Sequence, residues 1–130
     1  MKLESKKVIV NKTVEDVHIF LCDVKNFEQL MPENTSKFEV LSEKSFLFAL
    51  KGMPEIALEL KESSNPNEVV FGAISDKLPF TLRATINTIS ENSSEAQLHF
   101  EGDFNAMMAM MIKSPITKFI ETLIANLALV

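Results

Sequence analysis

The sequence lacks tryptophan and tyrosine and has one cysteine and one arginine, and these shortages exclude several classes of function. Because Cys22 has no cysteine partner, an intrachain disulfide is impossible, and we expect a reducing, cytoplasmic location. Arg83 is the only arginine and the formal net charge is −5, so the chain lacks the clustered positive charge that phosphate recognition requires. We therefore expect no nucleic-acid partner.

Long apolar runs are also absent from the sequence. The N-terminal residues MKLESKKVIV lack the apolar core of a secretory signal, so we expect no signal peptide. The apolar C-terminal stretch is interrupted by Lys113, Lys118 and Glu121. We therefore expect no stable membrane insertion, because no apolar run is long enough to cross a bilayer. The length of 130 residues predicts one domain, spanning residues 1–130, with a sizeable hydrophobic core.

The first quarter of the chain predicts one strand and two short helices. Residues 2–10 end in the β-branched run VIV, which is typical of a strand. Thr13 is a good N-cap for the first helix, whose apolar residues recur at helical spacing. A second short helix is predicted over residues 25–31, and it is expected to end there because Pro32 follows.

From residue 34 onward the apolar period changes from helical to two, which predicts six strands. The segments between them are rich in turn residues, for example SSNPN at 63–67 and SDK at 75–77. Such short connections favour an antiparallel meander, since parallel strands need long crossovers. One face of this sheet is predicted to be apolar and covered, and the other to be polar and in contact with water.

The end of the chain, residues 105–130, predicts a long amphipathic helix that is rich in methionine. Met107, Met110 and Met111 share helical spacing, and apolar residues resume at that spacing after Pro115. We expect Pro115 to interrupt the helix and to leave the part before it mobile. The sequence leaves two roles open for these methionines. They either fill an irregular core or contact a ligand at the mouth of a cavity.

Together these elements predict an α+β fold in the order strand, two short helices, six-stranded antiparallel meander and long C-terminal helix. This order resembles the helix-grip fold of the SRPBCC superfamily, which includes START, polyketide-cyclase and birch-pollen-allergen-like proteins. The local similarity is to the polyketide-cyclase and coenzyme-Q-binding branches, in which a helix ends at an aspartate that an aromatic residue and a proline follow. In the segment VEDVHIFLCDVKNFEQLMP, these positions are Asp23, Phe27 and Pro32.

The resemblance implies a curved seven-stranded sheet that wraps the C-terminal helix and encloses a cavity. Members of the superfamily bind lipids, sterols, quinones, polyketides or plant hormones, and some are enzymes. This chain departs from the pattern because it has no tyrosine or tryptophan to supply hydroxyl groups or polar ring contacts. It also lacks the glycine-rich loop of the plant allergens, since its only glycines are Gly52, Gly72 and Gly102.

Our leading hypothesis is a carrier of a small hydrophobic molecule such as a lipid, a quinone or a polyketide-like compound. We expect no cofactor, and the sequence leaves a homo-oligomer open. The alternatives are an enzyme of the polyketide cyclase or hydrolase type, and a protein-interaction module that uses the sheet face or the methionine-rich helix. The apolar alternation predicts that the cavity is lined by Phe46, Phe48, Leu58, Phe71, Leu82, Phe100, Met107, Met111, Phe119 and Leu123.

The polar residues with candidate chemistry favour structural roles. His18 and Cys22, four residues apart on one helix, are interpreted as a partly buried pair, because a metal site or catalytic dyad would need further ligands or a third group. His99, with Glu101, is predicted to lie on the outer sheet face as part of a charge pair. Asp23 is predicted to cap the second helix. We therefore assign no catalytic residue and no metal site.

Overall fold

The computed structural model describes residues 1–74 and 79–130 and has the predicted α+β architecture. A 3₁₀ turn, Val24–Asn26, joins the first two helices. The predicted turn at residues 75–77 lies outside the described residues. The elements are β1 (Lys2–Glu4), β2 (Val8–Val10), α1 (Val14–Cys22), α2 (Phe27–Leu30), β3 (Thr35–Ser42), β4 (Ser45–Leu50), β5 (Ile56–Glu62), β6 (Glu68–Ala73), β7 (Phe80–Ser90), β8 (Ser93–Gly102) and α3 (Ala106–Leu127).

The strands form one antiparallel sheet in the order β1-β8-β7-β6-β5-β4-β3, and β2 also pairs with β8. Neighbours from β3 to β8 are consecutive in sequence, so the predicted six-stranded meander is confirmed. The apolar face of the sheet packs against the helices, and the opposite face carries half-buried and exposed polar side chains such as Arg83, Gln97 and His99. The sheet is thus covered on one face, as the alternating pattern predicted.

The prediction of a single N-terminal strand, and hence of a seven-stranded sheet, is wrong. The structure has two short strands there, and the sheet has eight strands. Glu4 pairs with His99 whereas Val8 pairs with Ala96, so one extra residue is inserted on the N-terminal side. A one-residue shift exchanges the two faces of a strand. Because of this shift, Leu3 in β1 and both Val8 and Val10 in β2 face the core.

The buried side chain of Ser5 stabilises this irregularity. The backbone amide of Ser5 donates to the carbonyl of Leu98 at 2.9 Å, and the Ser5 hydroxyl oxygen accepts from the amide of Leu98 at 2.9 Å. The hydroxyl also donates to the carbonyl of Lys6 at 2.8 Å. These bonds satisfy backbone groups that the shifted register would otherwise leave unpaired.

The two short helices begin at the residues that the sequence favoured as caps. The hydroxyl oxygen of Thr13 accepts from the amide of Asp16 at 3.1 Å at the start of α1. The carboxylate of Asp23 accepts from the amide of Lys25 at 3.1 Å, which confirms its predicted capping role. The second helical segment begins as a 3₁₀ turn and becomes α-helical only at Phe27, so its predicted start at Lys25 is correct only in part.

The C-terminal half of α3 packs directly onto the sheet. The ring of Phe119 stacks on that of Phe48 in β4, with 4.6 Å between the ring centroids. On the same strand, Phe46 stacks on Phe27 of α2 at 4.9 Å and meets Phe71 edge-on at 5.9 Å. Aromatic pairs at these separations add to the free energy of burial. This half of the interior is therefore a closely packed core.

The expectation that Pro115 interrupts the C-terminal helix is wrong. The helix α3 runs without a break from Ala106 to Leu127. A proline inside a helix removes one hydrogen bond, here the one that its own amide would donate to the carbonyl of Met111. In the turn around the proline, the hydroxyl of Thr117 donates to the carbonyl of Lys113 at 2.6 Å. The segment before the proline is therefore continuous with the rest of the helix.

Candidate functional site

A cavity of about 430 Å³ lies beneath the N-terminal half of α3. Its other walls are the turn between β4 and β5 and the adjoining ends of β7 and β8. Exposed lining residues such as Lys51 and Lys118 place its mouth at the protein surface. The lining residues are Asn34, Leu50, Lys51, Gly52, Met53, Pro54, Ile56, Phe80, Phe100, Phe104, Met108, Met111, Ile112, Ser114, Pro115, Ile116 and Lys118.

The β4–β5 turn forms a fixed wall of this cavity. The amide of Met53 donates to the carbonyl of Leu50 at 2.9 Å, and Gly52 has a φ angle of 84°. This combination is typical of a type II turn, which favours glycine at the third position. The amide of Lys51 also donates to the carbonyl of Asn34 at 2.9 Å, so the turn is attached to the segment before β3.

Three phenylalanine rings form the deep apolar wall. Phe100 stacks on Phe80 with 5.1 Å between ring centroids and on Phe104 with 6.2 Å. The ring of Phe104 lies directly over Gly102, where a Cβ atom would come within 2.1 Å of a ring carbon. The absence of a side chain at Gly102 therefore allows Phe104 to fold back over the end of β8.

One face of α3 forms the opposite wall, where Met108, Met111, Ile112 and Pro115 recur at helical spacing. Since Pro115 has no amide hydrogen, the carbonyl oxygen of Met111 lacks its usual helical donor. Met111 and Pro115 both border the cavity, so this missing helical hydrogen bond lies in the segment of α3 that lines it.

The polar side chains around the cavity are few. Among the described lining residues they are those of Asn34, Lys51, Ser114 and Lys118, and none is a carboxylate, an imidazole or a thiol. General acid–base catalysis most often uses histidine or a carboxylate within hydrogen-bond reach of the reacting atom. The described lining is therefore suited to holding an apolar molecule rather than to proton transfer.

Of the ten residues that the sequence predicted to line a cavity, Phe100 and Met111 border this one. Met107 is 75% exposed and points away from the interior. The remaining seven are buried in the packed half of the molecule, where aromatic stacking fills the space between sheet and helices. These seven residues are Phe46, Phe48, Leu58, Phe71, Leu82, Phe119 and Leu123.

Sequence reasoning missed most of the residues that border the cavity, in particular the β4–β5 turn, Phe80, Phe104 and Met108. The run KGMPE contained a usable signal, because its methionine, Met53, lies between a glycine and a proline outside any strand. Phe104 continued the alternating pattern of Ala96, Leu98 and Phe100, although it lies after the end of β8 and just before the N-cap Asn105.

The four methionines at the start of α3 divide between the cavity and the solvent. Met107, Met110 and Met111 are 75%, 83% and 66% exposed. Met108 is partly buried against the core and borders the cavity together with Met111. The helix thus presents thioether groups both to the cavity mouth and to solvent.

The pair of His18 and Cys22 lies far from this cavity, on α1. The Cys22 Sγ atom is 3.7 Å from His18 Nε2, which also lies 2.8 Å from the carbonyl oxygen of Ser63. Burial raises the pKa of the Cys22 thiol, whereas a nucleophilic cysteine requires a lowered pKa. Within residues 1–74 and 79–130, no group of three or more histidine, cysteine, aspartate or glutamate residues is placed to hold a metal ion.

His99 lies on the outer face of the sheet, as predicted, but its nearest carboxylate belongs to Glu4 rather than to Glu101. Its Nδ1 atom is 3.8 Å from Glu4 Oε2, and its Nε2 atom is 3.2 Å from the hydroxyl oxygen of Thr85. Burial, followed by the charge of Arg83, lowers the pKa of His99, and nearby glutamates oppose the shift. His99 is not part of the cavity lining, because its side chain lies on the opposite face of β8 from that of Phe100.

No protein-family model matches the chain, and no curated protein is significantly similar to it in sequence. Solved structures do share its fold. A START superfamily protein from Mycobacterium smegmatis superposes with a TM-score of 0.69 at 13% identity, covering 98% of this chain and 94% of its own. The similarity of architecture to the START-like, helix-grip proteins is therefore confirmed.

Two neighbours of this fold have more specific descriptions. Norcoclaurine synthase from Thalictrum flavum, solved in complex with dopamine and hydroxybenzaldehyde, superposes with a TM-score of 0.75 at 11% identity, covering 98% of this chain and 83% of its own. The di-domain ARO/CYC protein BexL of the BE-7585A biosynthetic pathway has a TM-score of 0.64 at 10% identity, with coverages of 98% and 45%. At these identities the likeness concerns the fold alone.

Among the described residues, none of the helices is both long enough and apolar enough to span a membrane.

Proposed function

Since the chain has the helix-grip fold, we propose that it binds a small hydrophobic molecule in the cavity beneath the N-terminal half of α3. The observation that carries this proposal is the cavity itself, whose 430 Å³ volume falls within the roughly 300–1,000 Å³ range of ligand sites. Its walls combine three stacked phenylalanines with methionine and isoleucine side chains. A flexible thioether adapts its shape to ligands of different outline.

Burial of apolar surface supplies the affinity in this proposal. Each methylene group removed from water contributes about 0.8 kcal/mol, so a ten-carbon chain contributes about 8 kcal/mol before the costs of association. If association costs about 4 kcal/mol, about 4 kcal/mol remains, which corresponds to a dissociation constant of about 1 mM for a chain of this length. A lipid, a quinone tail or a polyketide-like compound satisfies this requirement.

An enzymatic function of the cyclase or hydrolase type is less well supported. Such an enzyme needs at least two polar groups that converge on the reacting atoms. The described lining residues offer two lysines, one asparagine and one serine, and include no histidine or carboxylate, the groups that most often serve as acid or base. His18, Asp23 and His99 all lie outside the cavity lining, so none of them can contact a molecule bound there.

The proposal is tested by calorimetric titration of the protein with 1-decanol, a neutral apolar probe. Ile112 lines the cavity and is 8% exposed, so Ile112→Trp fills part of it, whereas Ile89 is 50% exposed outside it and Ile89→Trp is the matched control. We expect at least tenfold weaker binding to Ile112→Trp and unchanged binding to Ile89→Trp. Far-UV circular dichroism confirms that both variants are folded. Absence of saturable binding to the wild type would refute the proposal.

The exposed methionines favour a second candidate function, a protein-interaction module. Met107 and Met110 are 75% and 83% exposed at the start of α3, and clustered exposed apolar side chains commonly mark interaction surfaces. Sedimentation velocity over a range of concentrations tests for self-association through this helix. A wild type that dimerises and a Met107→Gln/Met110→Gln variant that stays monomeric would support this candidate, and monomers for both would exclude self-association.

A further inference from the structure

We propose that the molecule bound in this cavity is a single-chain amphiphile with an anionic head group, which Lys51 and Lys118 recognise. The inference rests on the proposed function and deepens it, since it specifies the chemistry at one end of the ligand. It follows from the uneven distribution of polar groups and charge around the cavity.

The cavity is apolar at one end and polar at the other. Phe80, Phe100 and Phe104 close the apolar end, next to the first turn of α3. Asn34, Lys51 and Lys118 lie together at the polar end, where a second, smaller cavity is also bordered by Asn34 and Lys118. Such a division matches a molecule with one apolar and one polar end.

The distance between the two ends sets the length of the molecule. Met108 and Lys118 border the same cavity and are ten residues apart on α3. At a rise of 1.5 Å per residue, they are separated by about 15 Å along the helix axis. An extended chain of about ten carbon atoms, with its head group, has a similar length.

The sign of the charge at the polar end selects the head group. Lys51 and Lys118 are the charged residues among the described lining, and no acidic residue belongs to it. Neither lysine takes part in an ion pair with another described residue. Several other lysines are also without an ion pair, but Lys51 and Lys118 are the two that border the cavity.

Two carboxylates that are close in sequence to these lysines have other partners, and one of them, Glu121, accepts from the amide of Lys6 at 2.9 Å. Glu55 follows the β4–β5 turn, but its carboxylate is 3.0 Å from the ammonium group of Lys37. The pairing raises the pKa of Lys37, chiefly through its hydrogen bond with Glu55. The amide of Asn34 and the hydroxyl of Ser114 provide neutral hydrogen-bond donors beside the two lysines.

A set of probes with one chain length and different head groups tests this inference. Decanoate, 1-decanol and decyltrimethylammonium are titrated into the wild type and into the Lys51→Gln/Lys118→Gln variant. The matched control is Lys2→Gln/Lys44→Gln, which removes two exposed lysines outside the cavity lining and changes the net charge equally. Decyl sulfate is included to distinguish recognition of any anion from recognition of a carboxylate.

We expect the wild type to bind decanoate about tenfold more tightly than 1-decanol, and decyltrimethylammonium more weakly than both. The preference for decanoate should fall to less than threefold in the Lys51→Gln/Lys118→Gln variant and remain in the control. Equal binding of decanoate and 1-decanol by the wild type would refute the anionic head group but leave the proposed function intact. Failure of all probes to bind would refute both proposals. A preference that survives in the Lys51→Gln/Lys118→Gln variant would overturn the role of the two lysines.

Discussion

Single residues determine the shape of the cavity, and Gly102 is the clearest case. The ring of Phe104 occupies the space that a side chain at residue 102 would need. A Cβ atom built on Gly102 would lie 2.1 Å from a carbon of that ring. Gly72 differs, because a Cβ there would meet the flexible side chain of Lys61 at 2.8 Å. A long lysine side chain can move aside, whereas a ring that stacks on Phe100 cannot do so without loss of that contact.

Substitution of Gly102 by alanine is therefore expected to destabilise the protein and to disturb the cavity. Overpacking of this kind costs about 1–3 kcal/mol. We expect a loss of that size in the free energy of unfolding measured with urea, together with weaker binding of 1-decanol. Gly72→Ala serves as the control and should lose less than 1 kcal/mol. Equal effects of the two substitutions would contradict the role assigned to the ring of Phe104.

His99 provides a second prediction at this scale, concerning the dependence of stability on pH. Burial and the charge of Arg83 lower the pKa of His99 in the folded state. In the pH interval between this lowered pKa and the ordinary histidine value of about 6.5, the unfolded chain therefore binds more protons than the folded protein. The contribution to stability is complete above that value and is lost as the pH falls through the interval. His99→Gln should flatten the decline in unfolding free energy between about pH 7 and pH 5. An unchanged decline would show that His99 does not cause it.

At the scale of the elements, α3 combines two environments on one continuous helix. Its second half is fixed to the sheet by residues such as Phe119 and Ile120, which are 4% and 0% exposed. Its first half borders the cavity and presents Met107 and Met110 to solvent. Pro115 lies between the two halves and removes one hydrogen bond where the environment changes.

Replacement of Pro115 by alanine should restore the amide donor to the carbonyl of Met111. Because an internal proline costs a helix up to about 3 kcal/mol, we expect the free energy of unfolding to rise by about 1–3 kcal/mol. Ser114→Ala is a suitable control, since it changes an exposed position of the same turn and should alter stability by less than about 0.5 kcal/mol. Chemical denaturation measures both values. A less stable Pro115→Ala variant would contradict this account.

The sequence allowed most elements to be predicted, because their signals are local. The alternation from residue 34 onward predicted the six-stranded meander, and Thr13 and Asp23 predicted the helix starts. The bulge at Ser5 was not predictable in this way. It depends on which residues of β8 the two N-terminal strands meet, and that register is a tertiary property.

The position of the cavity was also not predictable from periodicity. Alternation identifies residues that face inward but does not tell whether inward-facing side chains meet one another or surround a space. Phe48 and Phe119 meet and fill the interior. Phe100 faces inward on the same sheet, yet it borders the cavity. Likewise, the apolar pattern did not distinguish exposed Met107 from buried Ile112.

At the scale of the whole molecule, α3 packs against the sheet along its C-terminal half. Along its N-terminal half, the cavity lies between the helix and the sheet. The closely packed part of the core lies around Phe46, Phe48 and Phe71, and cavity-lining residues such as Phe100 and Ile112 belong to the same hydrophobic core. The same division places Lys51 and Lys118 at the polar end of the cavity and the phenylalanine rings at its apolar end. In this account, close packing dominates one half of the helix–sheet interface and the proposed ligand site lies in the other half.

The most direct test of this account is the response of the methionine methyl groups to a bound probe. The chain has seven methionines, and three of them, Met53, Met108 and Met111, line the cavity. In ¹³C-methyl spectra of the protein titrated with decanoate, the account predicts saturable shifts for these three signals and unchanged signals for Met1 and Met31. Shifts of Met1 or Met31 with no response from the three cavity methionines would contradict it.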